Sequence, residues 1–131
     1  MTAGLLDTSV VIDWDLPEVA AALPDEVSVS TITVAELATG PHLARTAAER
    51  ARRLTRLQEV ESLFEPLDFD RAAARGYGQV VAAVADAGRS HRPRALDLMI
   101  AAIALTHDLP LLTRNAVDLA GLEGLVEVRG V

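Results

Sequence analysis

The stretch RALDLMIAAIALTH, residues 94–107, predicts a buried helix that carries one carboxylate. Every side chain from Leu98 to Leu105 is apolar, so a helix built from this stretch must be largely buried. Withdrawing an unpaired carboxylate from water costs several kcal/mol. The dipole at a helix N-terminus returns only about 1 kcal/mol or less. Asp97 therefore needs a cation or a raised pKa, and Arg94, one helical turn earlier, is a candidate ion-pair partner.

The rest of the chain has the composition of one globular domain. Its 131 residues are near the usual size of a domain, and 50% are hydrophobic while 24% are charged. We expect a single domain over residues 1–131. The longest apolar run is too short to cross a bilayer, and no signal-type segment opens the chain, so we expect a cytoplasmic protein without a membrane partner.

The types of charged residue exclude several kinds of site. All twelve basic residues are arginines, and neither lysine nor cysteine occurs. A Walker P-loop and a Schiff-base enzyme both need lysine, and any metal must be held by oxygen or nitrogen. The net charge of −7 argues against a nucleic-acid binder with a generally basic surface. Acidic side chains that await a divalent cation would account for part of this excess.

Short apolar strands alternate with longer helical segments along the chain. We predict strands at residues 4–7, 26–31, 63–68, 109–113 and 125–128. We predict helices at residues 8–14, after Pro17, and at 33–39, 46–63, 70–87 and 93–107. Such alternation predicts an α/β fold in which helices cover both faces of a mostly parallel sheet, a three-layer α/β/α domain with about five strands. Functional sites in these folds lie at the carboxyl ends of the strands.

Four acidic residues are predicted to lie at strand ends or near the start of a helix: Asp7, Glu36, Asp97 and Asp118. Carboxylates that are brought together repel, and they raise one another's pKa unless a multivalent cation neutralises them. A site made only of oxygen ligands favours Mg²⁺ or Mn²⁺. A divalent ion so held can activate water for hydrolysis of a phosphodiester.

Each acid also has a purely structural interpretation. Asp7 can cap the helix that follows it. Thr33 and Glu36 match the T-x-x-E capping box. The remaining acids, Asp97 and Asp118, can lie in the first turn of a helix, where the helix dipole favours negative charge.

Four segments of the chain resemble the PIN-domain ribonucleases of the VapC toxin family. They are LLDTSVVID from residue 5, STITVAEL from residue 30, ALDLMIAAIA from residue 95 and LPLLTRNAVDL from residue 109. The resemblance implies that Asp7, Glu36 and Asp97 bind Mg²⁺ or Mn²⁺ and act in catalysis. A fourth ligand comes from the TRN segment in that family, and here it is either Asp118 or the neutral oxygen of Asn115. Two hydroxyl residues, Thr8 and Thr113, match positions that support the site.

The resemblance also implies a function. A VapC-like protein would be an endoribonuclease toxin that cuts RNA, with tRNA or rRNA as expected substrates, and so inhibits translation. It would pair with a VapB-type antitoxin that inserts a basic group into the acidic site. Homodimers, and heterotetramers or larger assemblies with the antitoxin, are expected.

Two other function classes compete with this interpretation. The chain could be a catalytically weak PIN-like module that only binds RNA or antitoxin, although the complete set of acids argues against it. It could also be a phosphoryl-transfer domain with a nucleophile at Asp7, but that class lacks its lysine and its D-x-D motif here.

Arginine is the expected source of contacts to RNA, because only four aromatic residues are available for base stacking. Two clusters stand out: Arg45, Arg50, Arg52, Arg53 and Arg56 around the long middle helix, and Arg89, Arg92 and Arg94 before Asp97. We expect the first cluster to be a solvated helix face, whereas the second lies close enough to Asp97 for phosphate contact to be an equal alternative. The three histidines share no metal-binding spacing and are predicted to be surface or helix-end residues.

Overall fold

The structure, a computed structural model, describes residues 2–131. Its described residues form one parallel sheet of four strands in the order β2-β1-β3-β4. The strands are β1 (Ala3–Leu6), β2 (Glu26–Ser28), β3 (Leu111–Thr113) and β4 (Val128–Gly130). The predicted parallel α/β fold is confirmed, with four strands in place of about five.

The central strand β1 lies between β2, an early strand in the sequence, and β3, a late one. Leu5 pairs with Ser28 of β2 on one side and with Leu111 of β3 on the other. At the neighbouring position, a Cβ on Gly4 would collide with the end of the Leu112 side chain, which would have to shift. The two leucines of β1 are fully buried, as expected for the middle strand of a parallel sheet.

The strand predicted at residues 63–68 is wrong. The long helix of the middle region runs through Leu63, and among residues 63–68 the one β-bridge is isolated, outside the four strands, and joins Ser30 to Leu67. Pro66 precedes it and has no N–H to donate to a ladder. The last strand is also displaced, because it lies at Val128–Gly130 and not at residues 125–128.

Six helices and two 3-10 turns within residues 2–131 surround the sheet. The helices are α1 (Thr8–Asp13), α2 (Pro17–Ala22), α3 (Thr31–Leu43), α4 (Ala47–Leu63), α5 (Arg71–Asp86) and α6 (Ala95–Thr106), and the 3-10 turns are Arg92–Arg94 and Ala116–Leu119. Most match the predicted helices to within two residues; α3 extends beyond the predicted end at Thr39 and includes Pro41. No helix within residues 2–131 has both the length and the apolar composition needed to cross a membrane.

Helix α6 is the most deeply buried helix, as its sequence predicts. Its residues from Ile100 to Ala104 are fully buried and pack in one core cluster with α5, β1 and β3. A second core cluster lies on the other face of the sheet, between β1 and helices α1, α3 and α4. Because α6 is surrounded by protein, Asp97 in its first turn is fixed relative to the sheet.

Candidate active site

The four predicted acids, here called the acidic cluster, lie on segments that start at the carboxyl edge of the sheet. Asp7 directly follows β1, and Glu36 lies in α3, which follows β2. Asp97 is in the first turn of α6. Asp118 is in the 3-10 turn Ala116–Leu119, which follows β3. The crossover topology thus brings together residues that are far apart in sequence.

Asp7 is held by three hydrogen bonds, although only 3% of it is exposed. Its Oδ1 accepts from the Thr8 backbone N–H at 2.8 Å. Its Oδ2 accepts from the Ser9 hydroxyl at 2.9 Å and from the Thr113 hydroxyl at 2.8 Å. Asp7 is also the N-cap residue of α1, so its structural and its chemical interpretation are compatible.

Glu36 does not cap its helix, so the predicted capping box is wrong. Ser30 is the N-cap of α3 and accepts a hydrogen bond from the Thr33 N–H at 3.2 Å. Glu36 instead accepts from the Thr8 hydroxyl at 2.7 Å, and that hydroxyl also contacts the Thr33 hydroxyl at 2.9 Å. The Glu36 carboxylate is therefore directed toward Asp7 and its neighbours.

Ser9 also belongs to this site, although the sequence predicted no role for its side chain. Its hydroxyl donates to Asp7 and accepts from the Arg114 N–H at 3.1 Å. The Thr113 hydroxyl in turn accepts from the Asn115 N–H at 3.0 Å. The side chain of Asn115 is exposed and makes no capping hydrogen bond to the 3-10 turn that follows it.

Asp97 has the most perturbed titration in the cluster. Its pKa is raised from 3.8 to about 6, first by burial and then by the negative charges of Asp7, Glu36 and Asp118, while Arg94 lowers it. The predicted ion pair between Arg94 and Asp97 is not formed. Arg94 donates to Asp118 at 3.4 Å and acts on Asp97 only through its charge.

Asp118 lies at the outer side of the cluster, and its segment is held from the loop before α6. Arg89 donates to the backbone carbonyls of Val117 at 2.9 Å and Ala120 at 3.3 Å. Arg94 binds the Asp118 carboxylate, which is half exposed. Arg89 therefore has a structural role, which its sequence position alone did not indicate.

The carboxylates of the acidic cluster interact through their charges, but they do not form a coordination shell for a metal ion. Its members are near enough for three of them to raise the pKa of the fourth. Within residues 2–131, however, no three acidic or histidine side chains are placed so that they could hold one metal ion. Carboxylates with no cation between them repel, which favours such separation. The histidines lie at or beside helix ends, as predicted.

The PIN-domain family profile matches residues 4–120. The chain belongs to the PIN-domain family. This PIN domain is 40% identical to Ribonuclease VapC5 of Mycobacterium tuberculosis, over 96% of the chain and 92% of that protein. It is 27% identical to a Ribonuclease VapC of Rickettsia bellii, over 87% of the chain and 86% of that protein. The predicted resemblance to VapC-type PIN domains is confirmed.

Solved structures agree with this assignment. The PIN domain superimposes on a chain of the VapBC-5 toxin-antitoxin structure from Mycobacterium tuberculosis with a TM-score of 0.86 and 40% identity, and the match covers 100% of both chains. A chain of FitAcB from Neisseria gonorrhoeae matches with a TM-score of 0.80 and 30% identity, over 98% of this chain and 97% of that one.

Proposed function

We propose that this PIN domain is a divalent-metal-dependent endoribonuclease and the toxin of a VapBC-type toxin-antitoxin pair. The names of its relatives support ribonuclease activity and a toxin-antitoxin context. The observation that carries the proposal is the state of Asp97, whose charge is opposed by three other carboxylates and balanced only in part by Arg94. A hydrolytic metal site needs this excess of negative oxygen ligands.

The side chains present fit a hard divalent cation. All four members of the acidic cluster offer carboxylate oxygens, the ligands that Mg²⁺ and Mn²⁺ prefer. The cation would be held by Asp7, Glu36 and Asp97, with Asp118 as an outer ligand. A cation binds the ionised form of Asp97. Because the pKa of Asp97 is raised, ionising it costs free energy in the metal-free protein, and a bound cation offsets this cost. Side-chain rotations are needed to bring the three carboxylates to one ion.

The residues of the chain have separable roles in the proposed hydrolysis. A bound divalent ion supplies charge stabilisation to the phosphodiester oxygens and acidifies water. Thr8, Ser9 and Thr113 keep the Asp7 carboxylate in one orientation. Glu36 is held through Oε1 alone, so its Oε2 can serve as a ligand or accept a proton from the attacking water. The water oxygen bonds to phosphorus while the P–O bond to the leaving oxygen breaks, which yields a phosphate monoester and a hydroxyl.

RNA is the proposed substrate, with tRNA or rRNA as the expected targets and inhibition of translation as the result. A VapB-type antitoxin is the proposed partner. A cavity of about 510 Å³ between α1, α3 and α4 adjoins Thr8 and Glu36, and it is lined by exposed apolar side chains, Ile12 and Leu43 among them. An antitoxin segment could bind here and place a basic group at the acidic cluster. Homodimers, and heterotetramers or larger complexes with antitoxin, are part of the proposal.

The arginines of α4 favour partner binding over RNA binding as the role of this cavity, because two of them are already paired within the chain. Arg52, Arg53 and Arg56 line its wall. Arg53 is paired with Glu49 at 2.9 Å, and Arg56 is paired with Asp15 and lies over the Trp14 ring at 4.8 Å. Arg52 is exposed, as predicted for a solvated helix face, whereas Arg53 and Arg56 are partly buried.

An RNA cleavage assay with a charge-matched control tests the proposed function. Purified protein is incubated with total RNA in Mg²⁺ or Mn²⁺, with and without EDTA. We expect metal-dependent cleavage that Asp97→Asn abolishes and Asp25→Asn retains. Asp25 is the matched control because it is exposed and precedes β2, at the opposite edge of the sheet from the acidic cluster.

The two function classes predict different results in this assay. A binding module would retain RNA or antitoxin without cutting RNA under any metal condition. Cleavage that persists in EDTA, or in Asp97→Asn at the level of Asp25→Asn, would contradict the proposed metal site. Sequencing the ends of RNA after brief expression would identify the target.

A further inference from the structure

The side chain of Arg94 lies beside the acidic cluster with part of its hydrogen-bonding capacity unused. Its Nε is buried and has no acceptor among the described residues. Its Nη2 reaches Asp118 only at 3.4 Å, whereas a well-formed charge-assisted bond is about 2.7–2.9 Å long. Native proteins leave few buried donors without an acceptor, and such a donor needs a reason.

The backbone around Arg94 places it at the mouth of a second cavity. Pro93 lies in the 3-10 turn Arg92–Arg94, which leads directly into α6. The cavity has a volume of about 240 Å³ and is lined by Glu36 and Asp97 as well as by this turn. Since a water molecule occupies about 30 Å³, the cavity has room for a group the size of a phosphate. The Arg94 guanidinium and two carboxylates of the acidic cluster, Glu36 and Asp97, therefore line the same cavity.

The other two arginines of this loop are less suited to bind a ligand in that space. Arg89 is committed to the backbone carbonyls of Val117 and Ala120. Arg92 also lines the cavity, but its side chain is exposed, so water competes for it. The chain has no lysine. Arg94 is the arginine that combines a fixed position beside Asp97 with unused donors.

We propose that Arg94 binds the substrate phosphate at the cleavage site and that Asp118 holds its guanidinium in place while RNA is absent. A guanidinium is a planar fork that donates two parallel hydrogen bonds to phosphate oxygens. When RNA binds, Arg94 exchanges its long contact with Asp118 for phosphate, and Nε gains an acceptor. This inference rests on the proposed ribonuclease function and names the residue that grips the substrate.

Binding measurements in an inactive background test the role of Arg94 without relying on cleavage. The probe is a short fluorescein-labelled single-stranded RNA of mixed sequence, titrated with Asp97→Asn protein in EDTA at several salt concentrations. Adding Arg94→Gln should raise Kd about tenfold or more, as for loss of a hydrogen bond to a charged group. It should also lower the slope of log Kd against log salt by about 0.7, the value for one phosphate contact on a single strand.

Two further variants separate charge from geometry. Arg94→Lys keeps the charge, so it should keep most of the salt slope while its Kd rises, because the paired hydrogen bonds are lost. Arg75→Gln is the matched control and should change neither quantity. Arg75 adjoins Gly76, which faces Ala102 and Thr106 toward the far end of α6 from the acidic cluster.

Asp118→Asn, added to the same Asp97→Asn protein, distinguishes substrate binding from a positioning role. If Arg94 binds phosphate, Asp118→Asn releases it and leaves Kd unchanged or lower. If Arg94 served only to position Asp118, then Asp118→Asn would weaken binding as much as Arg94→Gln does, which overturns the inference. Equal Kd values for Arg94→Gln and Arg75→Gln would also overturn it.

Failure of this inference can be told from failure of the proposed function. If the unmodified protein cleaves RNA with Mg²⁺ and Arg94→Gln binds RNA normally, only the role of Arg94 is wrong. If the unmodified protein does not cleave RNA and the Asp97→Asn protein does not bind it, the proposed function is wrong and the role of Arg94 falls with it. Circular dichroism melting of each variant verifies that it is folded.

Discussion

Asp7 and Asp97 belong to the same acidic cluster, but the protein surrounds them in opposite ways. Asp7 is almost completely buried and accepts hydrogen bonds from Thr8, Ser9 and Thr113. Asp97 is less buried, and only the charge of Arg94 lowers its pKa. Asp7, at the end of β1, is thus fixed by hydrogen bonds within the chain. The charge of Asp97, in α6, depends on a cation that the described residues do not supply.

This contrast assigns different tasks to the two carboxylates. Hydrogen bonds from rigid strand ends fix Asp7 before any ligand arrives, which is what a preorganised site requires. Asp97 is the acid whose ionised form is disfavoured, first by burial and then by the charges of the other three acids. The same Asp-to-Asn change should therefore have opposite effects on stability at these two positions.

The largest effect is expected for Asp7→Asn. The amide has a single acceptor oxygen, so at least one of the three donors loses its partner and meets an N–H group. We expect a loss of about 1–3 kcal/mol in the free energy of unfolding, the cost of an unsatisfied buried group, together with loss of RNA cleavage. Urea unfolding in EDTA measures the first quantity, with Asp25→Asn as control. Asp7→Asn as stable as Asp25→Asn would remove the contrast.

Asp97→Asn should stabilise the metal-free protein, and the gain should depend on pH. Because the pKa of Asp97 is raised from 3.8 in the unfolded chain to about 6 in the fold, the native state holds the proton more tightly. The unmodified protein therefore loses stability as pH rises through this interval. After allowance for solvent screening, the variant should gain on the order of 1–2 kcal/mol above pH 6 and nothing below 3.8.

Thermal melting in EDTA at both ends of this pH interval measures the gain. Saturating Mg²⁺ should then reverse the order, since only the unmodified protein keeps the complete ligand set and ligand binding stabilises the native state. A stability difference that is the same at low and high pH would show that Asp97 is not strained.

The smallest effect concerns Ser30, the observed N-cap of α3, and Glu36, the acid of the predicted capping box. Ser30→Ala should cost about 1 kcal/mol because it removes the acceptor for the Thr33 N–H. Glu36→Gln should change stability by less than about 0.5 kcal/mol but should abolish RNA cleavage. Urea unfolding and the cleavage assay on both variants measure the two quantities. The reverse pattern would restore the capping-box interpretation of Glu36.

Much of this arrangement could be predicted from the sequence because apolar periodicity and burial energetics act locally. The fully apolar run after Asp97 predicts a buried helix, and desolvation then requires an unusual environment for that carboxylate. The strand-helix alternation predicts a parallel sheet with its site at the carboxyl edge. These steps predict that Asp7, Glu36, Asp97 and Asp118 lie near this edge, and the structure has them on segments that start there. Their roles as site residues stay predictions.

The errors come from competition between neighbours, which a sequence does not resolve. Ser30 and Thr33 each stand three residues before a possible partner, and tertiary pairing of Ser30 with Leu67 fixes the helix start at the earlier residue. Arg94 belongs to a 3-10 turn and not to α6, so its side chain reaches Asp118 and not Asp97. The role of Ser9 depends on Arg114, which is distant in sequence.

The hydrogen bond from Thr113 to Asp7 joins residues separated by 106 positions. The central strand pairs across a similar distance, through Leu5 and Leu111. During synthesis on a ribosome, the Asp7 carboxylate therefore cannot gain this partner until the chain has emerged as far as Thr113. A shorter nascent chain cannot assemble the edge that carries the acids, so the site forms only after β3 has been made and has paired with β1.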